Sequence, residues 1–247
     1  RSRGLGDVYK RQSLDCKFCA TAKIKRMRNL NPDEIYDQVV AMDQQSRHYF
    51  GRPLSNIVFM GMGEPLMNYK NLIASIDKIT QQEGLAMSPS RITVSTSGIP
   101  KIIMKMADDG VKFSLAISLH SARQLIREQL MPFAEKFPLK ELASSIQYWY
   151  EKTSRPVTYE YVVWKDINDK EVDINALVDF CKHTPCKVNL IEYNPIGENE
   201  FSQADNDSVS DYQSTLEANR IIVTVRRSRG KDIDAACGQL ANVSVKV

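Results

Sequence analysis

The chain has 247 residues, 43% of them hydrophobic and 26% charged, with a formal net charge of +3. That balance excludes a disordered or fibrous protein and fits one large globular domain. A slight basic excess permits a nucleic-acid partner without arguing for one. No apolar run approaches a membrane span and no signal-peptide pattern stands out, so the expectation is a cytosolic protein with no membrane partner.

In chain order, residues 1–12, RSRGLGDVYKRQ, carry no clean period and read on composition as a tail. The next stretch, QSLDCKFCAT, holds Cys16 and Cys19 as a Cys-x-x-Cys pair, followed by a basic run. Asn31, Pro32 and Glu34 predict a helix start, with Ile35, Val39 and Met42 on one apolar face. NIVFM then predicts a strand, followed by a glycine-rich turn and a helix with Leu72, Ile76 and Ile79 at helical spacing. RITVS precedes a helical KIIMKMADD, and FSLAIS precedes a polar helix-like stretch from Ala122 to Leu130. A longer helix from about Pro138 carries Leu139, Leu142, Ile146 and Trp149. VTYEYVV, KVNLIEYN and RIIVTVRRS supply three more β-branched runs, with helical patterns near Asp169 and Asp207 between them.

Apolar strands that do not alternate with period two, separated by helices, predict a parallel sheet covered by helices. A full or partial barrel and an open doubly wound sheet both satisfy the pattern, and both gather ligands at the carboxyl ends of the strands. Glycine and polar residues cluster there: Gly61 to Pro65, Thr96 to Gly98, His120 and Ser121, and Asn194 with Pro195.

The cysteine pair alone leaves four readings open: half a zinc site, a redox dithiol, part of an iron-sulfur site, or two core thiols. Five cysteines, an odd number, do not form a disulfide framework, and His48, His120 and His183 are scattered, which lowers the zinc option. The basic neighbours TAKIKRMRN favour thiolates and keep the dithiol reading alive.

The surroundings of the pair carry a resemblance. SLDCKFCAT is similar to the second half of the Cys-x-x-x-Cys-x-x-Cys loop of radical S-adenosylmethionine (SAM) enzymes, with Phe18 before the last cysteine. Together with FMGMGEPL, ITVSTSG, LAISLH, NLIEYNP and DIDAACGQL, it resembles the RlmN/Cfr family of RNA methyltransferases over residues 13–247. The fold this implies is α/β, a radical SAM partial (β/α)6 TIM-like barrel, with a first strand and an N-terminal accessory domain missing here. Residues 13–247 would form the core with a C-terminal extension that carries a methyl-accepting cysteine.

The resemblance implies a [4Fe-4S] cluster on three thiolates, with the fourth iron open to SAM. Cys16 and Cys19 match two of its metal ligands. Gly63 and Glu64 match positions near the methionine amino group. Ser95 and the run Ser118, Leu119 and His120 match contacts to the carboxylate, ribose or adenine, and Asn194 matches a further adenosyl contact. Cys237 matches the methyl-carrying cysteine, whose methyl would lose a hydrogen to the radical formed from a second SAM, with an electron from an external donor, and then add its carbon to adenine C2 of large-subunit ribosomal RNA and of tRNA. On composition alone each has a plainer reading: a tight turn, strand-end serines, or a small core thiol.

Two basic runs flank these cysteines: Lys23, Lys25, Arg26 and Arg28 on one side, and Arg226, Arg227, Arg229 and Lys231 on the other. They are candidate phosphate contacts, for a target adenine that would be unstacked into the pocket. The alternatives are Cfr-type C8 methylation and a noncatalytic RNA- or zinc-binding barrel.

The first cluster ligand of the family pattern falls on Gln12, whose neutral amide is a poor substitute for a thiolate. The family's resolving cysteine, which would close a disulfide with Cys237, and its general base lie upstream of the loop, where this chain has RSRGLGDVYKRQ. Residues 1–12 are therefore expected to be a non-native leader, and the chain as written to be inactive.

Overall fold

The computed structural model describes residues 14, 16–23, 28–196, 201–228 and 238–239. Six strands form one sheet: β1 (Ile57–Phe59), β2 (Ile92–Thr96), β3 (Ser114–Ser118), β4 (Val157–Val162), β5 (Cys186–Ile191) and β6 (Ile222–Arg226). Each pairs in parallel with the next in sequence, so strand order and chain order coincide. A doubly wound sheet reverses its strand order at a switch point; this one never does. That settles the choice left open by the hydrophobic pattern in favour of a singly wound, barrel-type sheet.

The helices are α1 (Pro32–Phe50), α2 (Tyr69–Thr80), α3 (Pro100–Asp108), α4 (Gln124–Leu130), α5 (Leu139–Thr153), α6 (Glu171–Cys181) and α7 (Asn206–Ala218). The start of α1 is the capping box expected from Asn31 and Glu34: Asn31 Oδ1 accepts from the Glu34 N–H at 2.9 Å, and Glu34 Oε2 accepts from the Asn31 N–H at 2.9 Å. Gly51 ends the helix with φ +65° and donates to Arg47 O, a left-handed cap that glycine adopts without a Cβ penalty. Helix α4 begins at Gln124 rather than Ala122. Ser121 Oγ accepts from the Arg123 N–H at 3.1 Å and holds the preceding residues in a turn.

The core lies between the sheet and the helices. Ile57, Leu72, Ile79, Ile92, Leu115, Leu142, Ile146, Trp149 and Val188 are all buried within it. A smaller apolar cluster, Cys16, Leu130, Met131, Ala134, Val162, Trp164 and Tyr193, brings the cysteine loop against the end of α4 and the loops after β4 and β5. Among the described residues no helix is long and apolar enough to cross a membrane.

Candidate functional site

The loops at the carboxyl ends of the strands meet on one side of the sheet. After β1 the chain turns through Gly63 at φ +92°, a conformation that favours glycine, and Glu64 follows. Glu64 is buried, and both its oxygens are spent inside the protein. Oε1 accepts from Leu66 N at 3.0 Å and Thr96 Oγ1 at 2.6 Å; Oε2 accepts from Ser97 N and Ser97 Oγ, each at 2.7 Å. Burial raises its pKa and these four donors oppose the shift. Glu64, matched in the sequence to a position near the methionine amino group, thus has its carboxylate engaged by protein donors. It ties the loop after β1 to the loop after β2.

Ser95 and Ser118 come together, with their hydroxyl oxygens 3.5 Å apart across β2 and β3. Ser118 lies beside Glu160 on β4, and Glu160 beside Asn189 on β5, so a polar row crosses the sheet. Glu160 is buried; Oε1 accepts from Asn189 Nδ2 at 2.9 Å, while Oε2 has no hydrogen-bond partner. Burial raises its pKa. Glu160 was invisible as a site residue within a β-branched run; a carboxylate flanked by tyrosines in VTYEYVV was the available signal.

Leu119 is buried, and its N–H and that of His120 both donate to the carbonyl of Glu160. His120 adopts φ +57°, uncommon for a residue with a side chain. Asn168 holds that turn by donating to His120 O at 2.8 Å and Val162 O at 2.9 Å. The imidazole Nδ1 accepts from the Val162 N–H at 3.3 Å, which leaves the proton on Nε2. Burial, reinforced by the charge of Arg127, lowers the His120 pKa to about 3, so the ring is neutral at physiological pH. Its ring meets Phe18 edge-on at 4.9 Å and Trp164 at 5.8 Å.

That stack seats the cysteine loop. Phe18 also contacts Trp164 at 4.9 Å, Lys17 N donates to Leu130 O at 3.1 Å, and Cys19 N donates to Cys16 O at 3.1 Å. Cys16 is buried and Cys19 half-buried. Asn194, at the end of the loop after β5, donates to Ser228 Oγ at 2.8 Å and so joins that loop to the one after β6. The C-terminal segment closes the circle: Ala20 N donates to Gly238 O at 2.8 Å, and Gln239 Nε2 to Pro195 O at 3.2 Å. Cys237 lies outside the described residues, as do Gln12, Lys25, Arg26, Arg229 and Lys231. Its neighbour Gly238 is docked directly on the cysteine loop.

Of the basic candidates, Lys23, Arg226 and Arg227 are exposed. Arg28 is exposed but forms an ion pair with Glu34, the residue that caps α1. Arg226 stands 3.6 Å from Glu160.

Arg127 on α4 is a site residue that the pattern QLIREQL concealed, since an arginine at that spacing reads as a solvated face. It has no exposed surface; Nη2 donates to Ser97 O at 2.6 Å and Nε to Leu119 O at 3.2 Å. For an iron-sulfur group the chemistry of the donors agrees in part. Two thiols share one loop, and Cys16 lies within electrostatic reach of the buried guanidinium. Among the described residues no three cysteine, histidine or carboxylate side chains are grouped to hold a metal, and the first ligand position of the loop pattern is Gln12.

Residues 13–178 match the family model of the Radical SAM superfamily. A Christiangramia forsetii protein named "Probable dual-specificity RNA methyltransferase RlmN" is 68% identical over 94% of this chain and 66% of its own length. A Flavobacterium psychrophilum protein of the same name is 67% identical over 94% of this chain and 67% of its own length. The crystal structure of a radical SAM methyltransferase from Sphaerobacter thermophilus superposes with a TM-score of 0.88 at 38% identity, covering 91% of this chain and 65% of that one. The chain therefore spans about two thirds of the length of the relatives it matches.

Proposed function

The chain belongs to the radical SAM superfamily and, within it, to the RlmN family, and we propose that it is the core of an RNA methyltransferase acting on adenine C2 of large-subunit ribosomal RNA and tRNA. The observation that supports this reading above the others is the contact between Ala20 and Gly238. It brings Gly238, the residue that follows Cys237 in the sequence, to the loop of Cys16 and Cys19, which supports a reaction that passes a methyl group from that cysteine to a base.

In this reading Cys16 and Cys19 would be two of the ligands of a [4Fe-4S] cluster, which when bound with SAM would supply the radical chemistry that aromatic C–H methylation needs. The protein supplies placement. Gly63 allows backbone to approach the amino end of SAM, while Glu64 fixes that loop from behind. The Ser95 and Ser118 hydroxyls, the backbone of Leu119, the neutral Nε2–H of His120 and Asn194 line the place for its polar groups. Phe18 of the cysteine loop packs on His120 and Trp164, which seats the loop on the strand ends. Cys237 carries the methyl group to the base.

Lys23, Arg226 and Arg227, with Lys25, Arg26 and Arg229 beside them in sequence, serve as phosphate contacts that position RNA without reading its sequence. Arg28 has a smaller part because Glu34 already engages it. The setting of such a reaction is cytoplasmic, with an external reductant.

The test is product analysis of RNA treated with the reconstituted protein carrying a complete cluster loop and the family's N-terminal portion. We expect 2-methyladenosine. Production of 8-methyladenosine would favour the Cfr-type reading, and binding of zinc without iron or sulfide would refute the enzyme reading.

A further inference from the structure

Cys181 and Cys186 lie outside every motif that carries the family resemblance, and the function proposed above gives them no task. Cys181 closes α6 and Cys186 opens β5, with only Lys182 to Pro185 between them. The link turns tightly. Lys182 N donates to Asp179 O at 3.2 Å and His183 N to Phe180 O at 3.3 Å, so the chain doubles back as soon as the helix ends. Both cysteines are thereby set against the same apolar core, Cys181 within it and Cys186 packed at its margin. Neither is in a disulfide, and the Cys186 thiol donates to the carbonyl of Cys181 at 3.7 Å.

Exposure divides the two. Cys181 is buried, at 6% exposure, whereas Cys186 is half-buried and follows the exposed His183 and Pro185. Hydrogen-bonding contact with Cys186, then burial, raises the pKa of Cys181, and the same contact lowers that of Cys186. A reachable sulfur that parts with its proton first, backed by a buried second sulfur, is the arrangement of an attacking and a resolving thiol. Two inert core thiols would both be enclosed; Cys186 is not.

We propose that Cys181 and Cys186 form a peroxide-sensitive modification site, in which Cys186 is oxidised and Cys181 closes a reversible disulfide between the end of α6 and the start of β5. The Cys186 thiolate attacks one oxygen of a hydroperoxide and the O–O bond breaks. Cys186 becomes the sulfenic acid, and the other oxygen leaves with the proton that Cys186 had lost. The Cys181 sulfur then displaces the hydroxyl, which departs with the Cys181 proton as water, and the S–S bond forms. Two electrons leave the pair, and one hydroperoxide takes them up.

Position sets the consequence. Cys186 pairs with Val157, the first residue of β4, so the bond lies at the amino ends of the strands. Ser118, His120 and Asn194 stand at or beyond the carboxyl ends. The disulfide therefore forms without obstructing them. It also halts the oxidation of Cys186 at a state that thiols reverse, before the sulfinic acid that they do not. The inference stands apart from the methyltransferase reading, since it requires neither a cluster nor SAM.

The experiment uses the full chain, reduced, freed of reductant and treated with hydrogen peroxide. Remaining thiols are blocked with N-ethylmaleimide before tryptic digestion and mass mapping. Cleavage after Lys170, Lys182 and Lys187 puts the two cysteines on separate peptides, 171–182 and 183–187. These should be found joined, lighter by two hydrogens than their sum, and parted again by dithiothreitol. Linkage should be severalfold faster in the folded protein than in the urea-unfolded chain. Dimedone should label Cys186 in Cys181→Ser and leave Cys181 unlabelled in Cys186→Ser.

Separate peptides, whether unreacted or with Cys186 carried to the sulfinic acid, overturn the proposal, as does linkage of Cys186 to a different cysteine. Linkage no faster in the folded than in the unfolded chain also overturns it, because closeness in sequence alone would then suffice. If either serine variant fails to fold, peptide mapping of the unsubstituted chain decides.

Discussion

The backbone N–H of Ala20 and the carbonyl of Gly238 meet at 2.8 Å, joining the cysteine loop near one end of the chain to the neighbour of Cys237 near the other. Gly238 has φ +84°, and a Cβ there would stand 3.3 Å from Phe18 O. Gly238→Ala is therefore expected to lift this segment from the loop while leaving the sheet intact. Crosslinking between residue 237 and the loop thiols should fall severalfold with no change in far-ultraviolet circular dichroism; equal crosslinking in both proteins would count against the contact.

Gln12 stands where the loop pattern requires a third thiolate. Gln12→Cys should raise the iron and sulfide retained after anaerobic loading and desalting from a trace towards four of each per chain, the stoichiometry of the cluster type. Elemental and acid-labile sulfide analysis measures this. No gain over the parent would mean that the loop lacks more than one ligand.

Glu64 takes four hydrogen bonds in the interior, and its removal would strand Thr96 Oγ1 and both donors of Ser97. Glu64→Ala should cost about 3 kcal/mol or more, since each buried unsatisfied group is worth about 1–3 kcal/mol. Glu64→Gln, which keeps an acceptor oxygen, should cost less. Urea unfolding measures both, and a Glu64→Ala protein as stable as the parent would contradict the strut.

His120 makes stability depend on pH with a definite sign. In the unfolded chain its imidazole takes a proton near the ordinary value of 6.5, whereas in the folded protein burial holds its pKa at about 3. The contribution is intact above pH 6.5 and is lost as pH falls towards 3, at about 1.4 kcal/mol per pH unit. Asparagine tolerates the left-handed backbone at this position, so His120→Asn is the control. The stability difference between the two proteins should tilt against the histidine through this window. Parallel profiles would show that the imidazole is freely protonated in the fold.

For RNA, Arg227→Ala should weaken binding across sequences and lower the slope of log affinity against log salt by about one. Arg28→Ala should move that slope less, because Glu34 already neutralises the side chain. Filter-binding titrations at several salt concentrations separate the two, and equal slopes would contradict the distinction.

The sheet was readable in the sequence because its central strands are covered on both faces. RITVS and FSLAIS are apolar runs whose length and flanking turns identify them without help from tertiary structure. Their order in the sheet was not readable, since hydrophobic runs say nothing of which neighbour each strand pairs with; sequential parallel pairing had to be observed. Ser95 and Ser118 announced themselves as polar residues at strand ends. Glu64 did too, yet its role depends on donors that arrive from the loop after the next strand. Arg127 was concealed most fully, because an arginine in a short amphipathic helix is ordinarily solvated. Only the meeting of α4 with two strand-end loops encloses it.

Strict agreement between strand order and chain order also bears on synthesis. Each strand from β2 onward finds its partner already made, on its amino-terminal side, separated by little more than one helix. Nothing in the sheet has to wait for a distant strand before it can pair. A nascent chain can extend the sheet one β-α-β step at a time as it leaves the ribosome, with no early strand kept open for a late one to insert. The segment around Gly238 emerges after all six strands, so the contact with Ala20 is the last to form, on a platform already complete.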